Sequence, residues 1–238
     1  MVAVPEFEFV NIYGTDITAA KDNERILAKL ARYFSPQVYA SIFSGDLEVK
    51  IQTRRKRLTV FFSDIKGFSE ITERLEPEVL TELITEYLTA MTDIAVEHGG
   101  TVDKYIGDAL MAFWGAPEEL EDAPVRACYC AMAIADALER DNAKRRQEGL
   151  PPVHVRIGLH AGPALVGNIG AEGRVNYTII GDSVNTCQRV ESLGREVDVP
   201  RNTTTILITD AVAKIPENEE LGEKLIDICL VILSKAVK

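Results

Sequence analysis

Apolar and polar residues alternate most regularly over residues 101–114, TVDKYIGDALMAFW. Thr101, Asp103 and Tyr105 interleave with Val102, Lys104 and Ile106, a period of two that predicts a strand. Residues 110–114 are apolar enough for a second, buried strand. Between them, Gly107-Asp108 predicts a tight turn that presents the Asp108 carboxylate at the end of a hairpin. Taken alone, such a turn more often carries a merely solvated aspartate. Residues 58–62, LTVFF, form an apolar run suited to a central strand, which then meets Ser63-Asp64-Ile65-Lys66-Gly67-Phe68.

Helical periodicity takes over between these stretches. Over residues 77–98, Leu80, Leu83, Ile84, Tyr87, Leu88, Met91, Ile94 and Ala95 make one apolar face, with Pro77 in the first turn and Gly99-Gly100 as the stop. Residues 122–148 predict a second long helix with Val125, Cys128, Met132, Ala135 and Leu138 inward and Lys144-Arg145-Arg146 near its C-terminus. A helix over 18–34 carries Ala19, Asn23, Ile26, Leu30 and Tyr33 as a seam of barely two heptads. That seam fits a parallel dimer, or a helix packed on its own domain. A short helix from Pro36 turns Val38 and Ile42 inward and ends near Gly45. Strands are predicted at 6–16, 153–159, 165–169, 177–180 and 205–209, with turns at 160–163 and 181–182. A helix at 183–193 puts Asn185 and Arg189 on one face. The tail, LIDICLVILSKAVK, offers a further strand with Lys235 after it.

Composition narrows the class. With 238 residues, 46% of them hydrophobic, the chain suits one medium domain with an appendage. A formal net charge of -11 argues against nucleic acid or an anionic membrane as the main partner. An anionic ligand must then be drawn by a local cationic site. The basic cluster Arg54-Arg55-Lys56-Arg57 reads as a solvated linker before the first core strand, with a role in steering nucleotide as the alternative. Cys128, Cys130, Cys187 and Cys229 lack metal-ligand spacing and read as buried or semi-buried thiols of a reducing compartment. His154 and His160, six apart with no third ligand in view, read as ordinary strand histidines. No run approaches the ~20 apolar residues of a membrane span. Met1-Val2-Ala3-Val4 lacks the basic start and apolar core of a signal peptide. A cytoplasmic location is expected.

The candidate chemistry lies where the apolar runs end. An aspartate just past a buried strand, followed by a glycine-containing loop and a helix, suits a metal ion and phosphate oxygens. Asp64 and Asp108, at the ends of adjacent strands, suit two metal ions at the ~3.5–4 Å spacing of in-line phosphoryl displacement.

FSDIKGFS, DKYIGDALMAFWG, RIGLHAGPALVGNIG and YTIIGDSVNTCQRVES, in this order and spacing, resemble the class III nucleotidyl cyclases, the adenylyl and guanylyl cyclase catalytic domains. The resemblance covers about residues 58–213. It implies an α+β sandwich like the polymerase palm, of ferredoxin-like kind, preceded by a linker helix. It also implies conversion of ATP to cyclic AMP and pyrophosphate by attack of the ribose 3′-hydroxyl on the α-phosphorus. Asp64, Asp108 and the Ile65 carbonyl match the family's ligands for two Mg²⁺ or Mn²⁺ ions, and the loop Lys66-Gly67-Phe68 matches its phosphate cradle. Asn185 matches the ribose-orienting residue and Arg189 the transition-state arginine. Lys104 and Thr178 match the base-selecting pair; guanylyl cyclases usually carry glutamate and cysteine there, and many adenylyl cyclases aspartate in place of Thr178. The Lys–Thr pair resembles the subgroup that includes bicarbonate-responsive enzymes. In the family, a head-to-tail homodimer shares each site, with the aspartates from one chain and Lys104, Thr178, Asn185 and Arg189 from the other. FVNIYGTDIT resembles the exit strand of a PAS sensor, with an ordinary N-terminal strand as the alternative. The expected order is therefore the end of an upstream sensor (1–17), linker helices (18–50) and the catalytic domain (51–238), as a piece of a longer sensor protein. The tail departs from the family, which leaves a phosphate contact from Lys235 open. Two other readings stay open: a guanylate cyclase, or a nucleotide-binding regulatory module that catalyses weakly or not at all. The GG(D/E)EF signature of a diguanylate cyclase is absent.

Overall fold

The computed structural model describes residues 2–4, 9–11, 18–30, 34, 36–43, 52–171, 174–196, 204–213 and 230–233. It divides into two compact units, Met1–Ser35 and Pro36–Lys238. In the first, β1 (Val2–Val4) pairs antiparallel with β2 (Phe9–Asn11), and α1 spans Thr18–Leu30. Of the proposed heptad seam, Ile26 is 54% exposed; the side chains of Ala19, Asn23, Leu30 and Tyr33 lie outside the described residues. So does most of the PAS-like segment beyond Asn11.

The second unit is built on a seven-stranded sheet. Its strands are β3 (Gln52–Ile65), β4 (Thr101–Ile106), β5 (Ala109–Trp114), β6 (Val155–Ala171), β7 (Arg174–Ile180), β8 (Thr204–Thr209) and β9 (Leu230–Leu233). The order is β4-β5-β3-β6-β8-β9, with β7 paired to the far end of β6. β8 runs parallel to β6 and β9 parallel to β8; the other pairs are antiparallel. The helices are α2 (Pro36–Phe43), α3 (Phe68–Arg74), α4 (Pro77–Glu97), α5 (Ala123–Gln147), α6 (Asp182–Leu193) and α7 (Asp210–Ala213). Val38 of α2 is buried as its spacing predicts.

Alternation along the strands sorts the core into two layers. Phe61 and Ile65 of β3, with Leu110, Ala112 and Trp114 of β5, face α4 and α5. Leu58, Val60 and Phe62, with Met111 and Phe113, face the opposite side, where Cys187 and Val184 of α6 meet them. Asn142 of α5 is buried and bonds both the N–H and the carbonyl of Val153, tying α5 to the entry of β6.

Two expectations change. The turn at 160–163 does not form: β6 is one continuous strand, paired with β3 from Gln52↔Asn168 to Ile65↔Val155. Pro163 is tolerated because it lies between the β8 pairing, which ends at Leu159, and the β7 pairing, which starts at Leu165. Its carbonyl instead accepts from the Ser183 hydroxyl at 2.8 Å. The basic cluster Arg54-Arg55-Lys56-Arg57 is not a linker but the first half of β3, held opposite residues 163–166 of β6.

Candidate active site

Asp64 lies one residue from the end of β3, opposite Arg156 of β6. The β4–β5 turn brings Asp108 to it. Gly107 takes φ 66°, a left-handed conformation a glycine adopts without strain, and the turn folds Asp108 back against β3. There the Asp108 Oδ2 accepts the Ile65 N–H at 2.8 Å, and the residue is only 8% exposed. Burial pushes the Asp108 carboxyl up to about 6; the adjacent Asp64 carboxyl adds to the rise, and the Ile65 N–H opposes it. Both carboxyls open into a cleft of about 370 Å³ that Gly67 and Phe68 also line, with Arg156 and Arg195. The Lys66 N–H is spent on the His154 carbonyl at 2.7 Å, and its side chain reaches Thr205 Oγ1 at 3.0 Å. The loop groups that face the cleft are therefore Gly67 and Phe68, not Lys66.

Arg156, Glu191 and Asp103 carry contacts that sequence reasoning missed. Arg156 is buried; its Nε donates to Glu191 Oε1 at 2.8 Å, and its Nη2 contacts Asp64 Oδ2. One guanidinium thus bridges the cleft to the C-terminal half of α6. Nothing in local periodicity signals a bond between residues 35 apart. Asp103 belongs to β4, where a regular strand would turn Asp103 and Lys104 to opposite faces. The pairing register instead shifts between Val102 and Lys104, a bulge that brings the two side chains together, with Lys104 Nζ 3.0 Å from Asp103 Oδ1.

The remaining predicted residues form two groups. Lys104 Nζ donates to Thr178 Oγ1 of β7 at 3.0 Å, so the predicted pair does meet, across 74 positions of sequence. Asn185 and Arg189 are both exposed on α6; Arg189 lies 3.4 Å from Thr186 Oγ1 and 3.7 Å from Asp182. None of these four lines the cleft of Asp64 and Asp108 among the described residues. Lys235 and Cys229 lie outside the described residues; Cys128, Cys130 and Cys187 are buried free thiols. His160 Nδ1 is bonded to Thr209 Oγ1 at 2.9 Å within the sheet. No group of three His, Cys, Asp or Glu side chains is placed to hold a metal among the described residues. No described helix is long and apolar enough to cross a membrane.

A mostly antiparallel sheet lies between helical layers, with paired carboxyls where its central strand meets a hairpin turn. Residues 50–222 match the family described as the adenylate and guanylate cyclase catalytic domain, and the chain belongs to it. It is 35% identical to Adenylate cyclase 1 of Rhizobium meliloti over 66% of this chain and 23% of that protein. The chain thus spans about a quarter of that curated relative. Among solved structures, the adenylyl cyclase CyaB of P. aeruginosa is 37% identical with a TM-score of 0.60, covering 75% of this chain and 84% of that one. The guanylyl cyclase Cya2 is 35% identical with a TM-score of 0.56, covering 60% and 72%. The cyclase fold expected from the motifs is thereby met.

Proposed function

We propose that this domain is an adenylate cyclase that converts ATP to 3′,5′-cyclic AMP and pyrophosphate. The observation that carries the choice of base is the Lys104–Thr178 pair, 3.0 Å apart. Lysine donates to adenine N1, an acceptor; in guanine that nitrogen bears a proton and would face a second donor.

Asp64, Asp108 and the Ile65 carbonyl fit a pair of Mg²⁺ or Mn²⁺ ions. The fit rests on hard oxygen donors and on two adjacent carboxyls, one raised to about 6, whose mutual repulsion a cation relieves. Ile65 directs its N–H to Asp108, and a strand residue points its N–H and C=O to the same side. When bound, the ions supply Lewis-acid chemistry, activating the 3′-hydroxyl and gripping the phosphates. Gly67 and Phe68 face the terminal phosphates. Asn185 orients the ribose. Arg189 sets its planar, multi-donor guanidinium against the oxygens that become negative in the transition state.

The four residues outside the cleft reach substrate only across a head-to-tail homodimer, which gives two equivalent sites. An upstream sensor and a bicarbonate response, the latter on the strength of the Lys–Thr pair, belong to the same proposal. The similarity to Cya2 favours one second reading, a guanylate cyclase. Turnover of ATP and GTP under Mg²⁺ and under Mn²⁺ separates the two. A higher kcat/KM for ATP supports the adenylate reading; a higher value for GTP overturns it.

A further inference from the structure

We propose that Asp103 is a specificity-determining positioning residue: it fixes which way the Thr178 hydroxyl points and so makes Thr178 a hydrogen-bond acceptor toward the base. The inference deepens the adenylate reading and rests on Lys104 and Thr178 facing the nucleotide.

The Asp103 side chain is 1% exposed, so it does not touch substrate itself. It is held at the β4 bulge on three sides. Its Oδ2 accepts the Thr178 hydroxyl at 2.6 Å and the Ile179 N–H at 3.4 Å; its Oδ1 faces Lys104 Nζ at 3.0 Å. A carboxylate only accepts, so the single hydroxyl proton of Thr178 is committed to Asp103. What Thr178 presents outward is lone pairs, one of them already taken by Lys104. Lys104 has three N–H groups and donates one to Thr178; its ammonium lies beside Asp103 Oδ1 as an ion pair without a hydrogen bond, and the side chain is 41% exposed, so N–H donors remain for a ligand. The outward face therefore reads donor, from Lys104, beside acceptor, from Thr178. Adenine matches it with N1 as acceptor and the 6-amino group as donor. Guanine opposes it at both positions, with N1–H against the ammonium and O6 against the threonine oxygen. Without Asp103 the hydroxyl rotates and donates to O6, and half of the discrimination disappears.

The test is steady-state kinetics of the full chain with ATP and GTP, for wild type, Asp103→Asn, Thr178→Val and the double variant. An amide at 103 donates to Thr178 as readily as it accepts, so the hydroxyl is released. Asp103→Asn is expected to lower the ATP:GTP ratio of kcat/KM roughly ten-fold, mainly through KM, the size of one neutral hydrogen bond made or opposed. In the Thr178→Val background the same substitution leaves the ratio unchanged. A merely structural role lowers both nucleotides equally, and an unchanged ratio in active Asp103→Asn overturns the proposal. If Asp103→Asn does not fold, wild type decides with two analogues that keep N1 as an acceptor. Purine riboside triphosphate lacks the 6-amino group, and 6-methoxypurine riboside triphosphate puts an acceptor there. The expected order is ATP, then purine, then 6-methoxypurine; a 6-methoxypurine analogue equal to or better than the purine overturns the proposal. Wild type preferring GTP is a separate result: it sinks the adenylate reading, whereas the variant's change in ratio tests Asp103.

Discussion

Asp108 sits where a carboxylate is not at ease: 8% exposed, beside Asp64, with one backbone N–H to satisfy it. Its carboxyl is raised from 3.8 to about 6, so protonation favours the folded, metal-free domain. That contribution is full below about 4 and is lost as pH rises through about 6. Asp108→Asn keeps the acceptor for Ile65 and removes the charge. Thermal melts without metal should show this variant more stable than wild type at pH 7.5, by on the order of 1 kcal/mol, with the gap closing toward pH 4. A gap that does not close would place the effect elsewhere. The same residue should be needed for chemistry. Asp108→Ala should lower cyclic AMP formation roughly a thousand-fold at saturating Mn²⁺ while the domain still melts cooperatively. Full activity in that variant would refute the metal assignment. Asp108 was readable as a turn carboxylate, because Gly107 punctuates a clean alternation. Asp103 was not, since the bulge that turns it toward Lys104 depends on pairing with β5 and leaves no mark on periodicity.

At the scale of elements, α6 is the piece that must sit closely on the sheet. It carries Asn185 and Arg189 outward and Glu191 inward to Arg156. Gly158 of β6 makes this approach possible: a Cβ there would lie 2.5 Å from the Glu191 N and 2.9 Å from the Cys187 O, both backbone. Gly158→Ala should therefore cost about 1–3 kcal/mol in a denaturant titration and also lower activity, as α6 and the Arg156–Glu191 bond shift outward. An unchanged midpoint would show that α6 has slack. The helices and the β4–β5 hairpin were legible because each buries one face, and that leaves a regular period. β6 was not, because its glycines and Pro163 punctuate it like a turn, while β3 holds it extended along its whole length. The basic half of β3 was missed for the related reason that its exposed Arg54 and Arg55 are strand residues only by virtue of their partners on β6.

For the whole molecule, the central claim is that each chain carries two halves of a cyclisation site that are completed only by a second chain. The cleft of Asp64 and Asp108 includes neither the base-facing pair nor Asn185 and Arg189 among its described lining residues. A metal-dead variant, Asp64→Ala/Asp108→Ala, and an arginine-half variant, Asn185→Ala/Arg189→Ala, should each be inactive, or nearly so, as homodimers. Mixing them and letting subunits exchange gives a heterodimer with one intact site and one that lacks both halves. With random pairing about half of the dimers are mixed, so cyclic AMP formation should recover to roughly a quarter of wild type. No recovery, with exchange verified by a labelled subunit, would contradict the account and mean that each site is built within one chain.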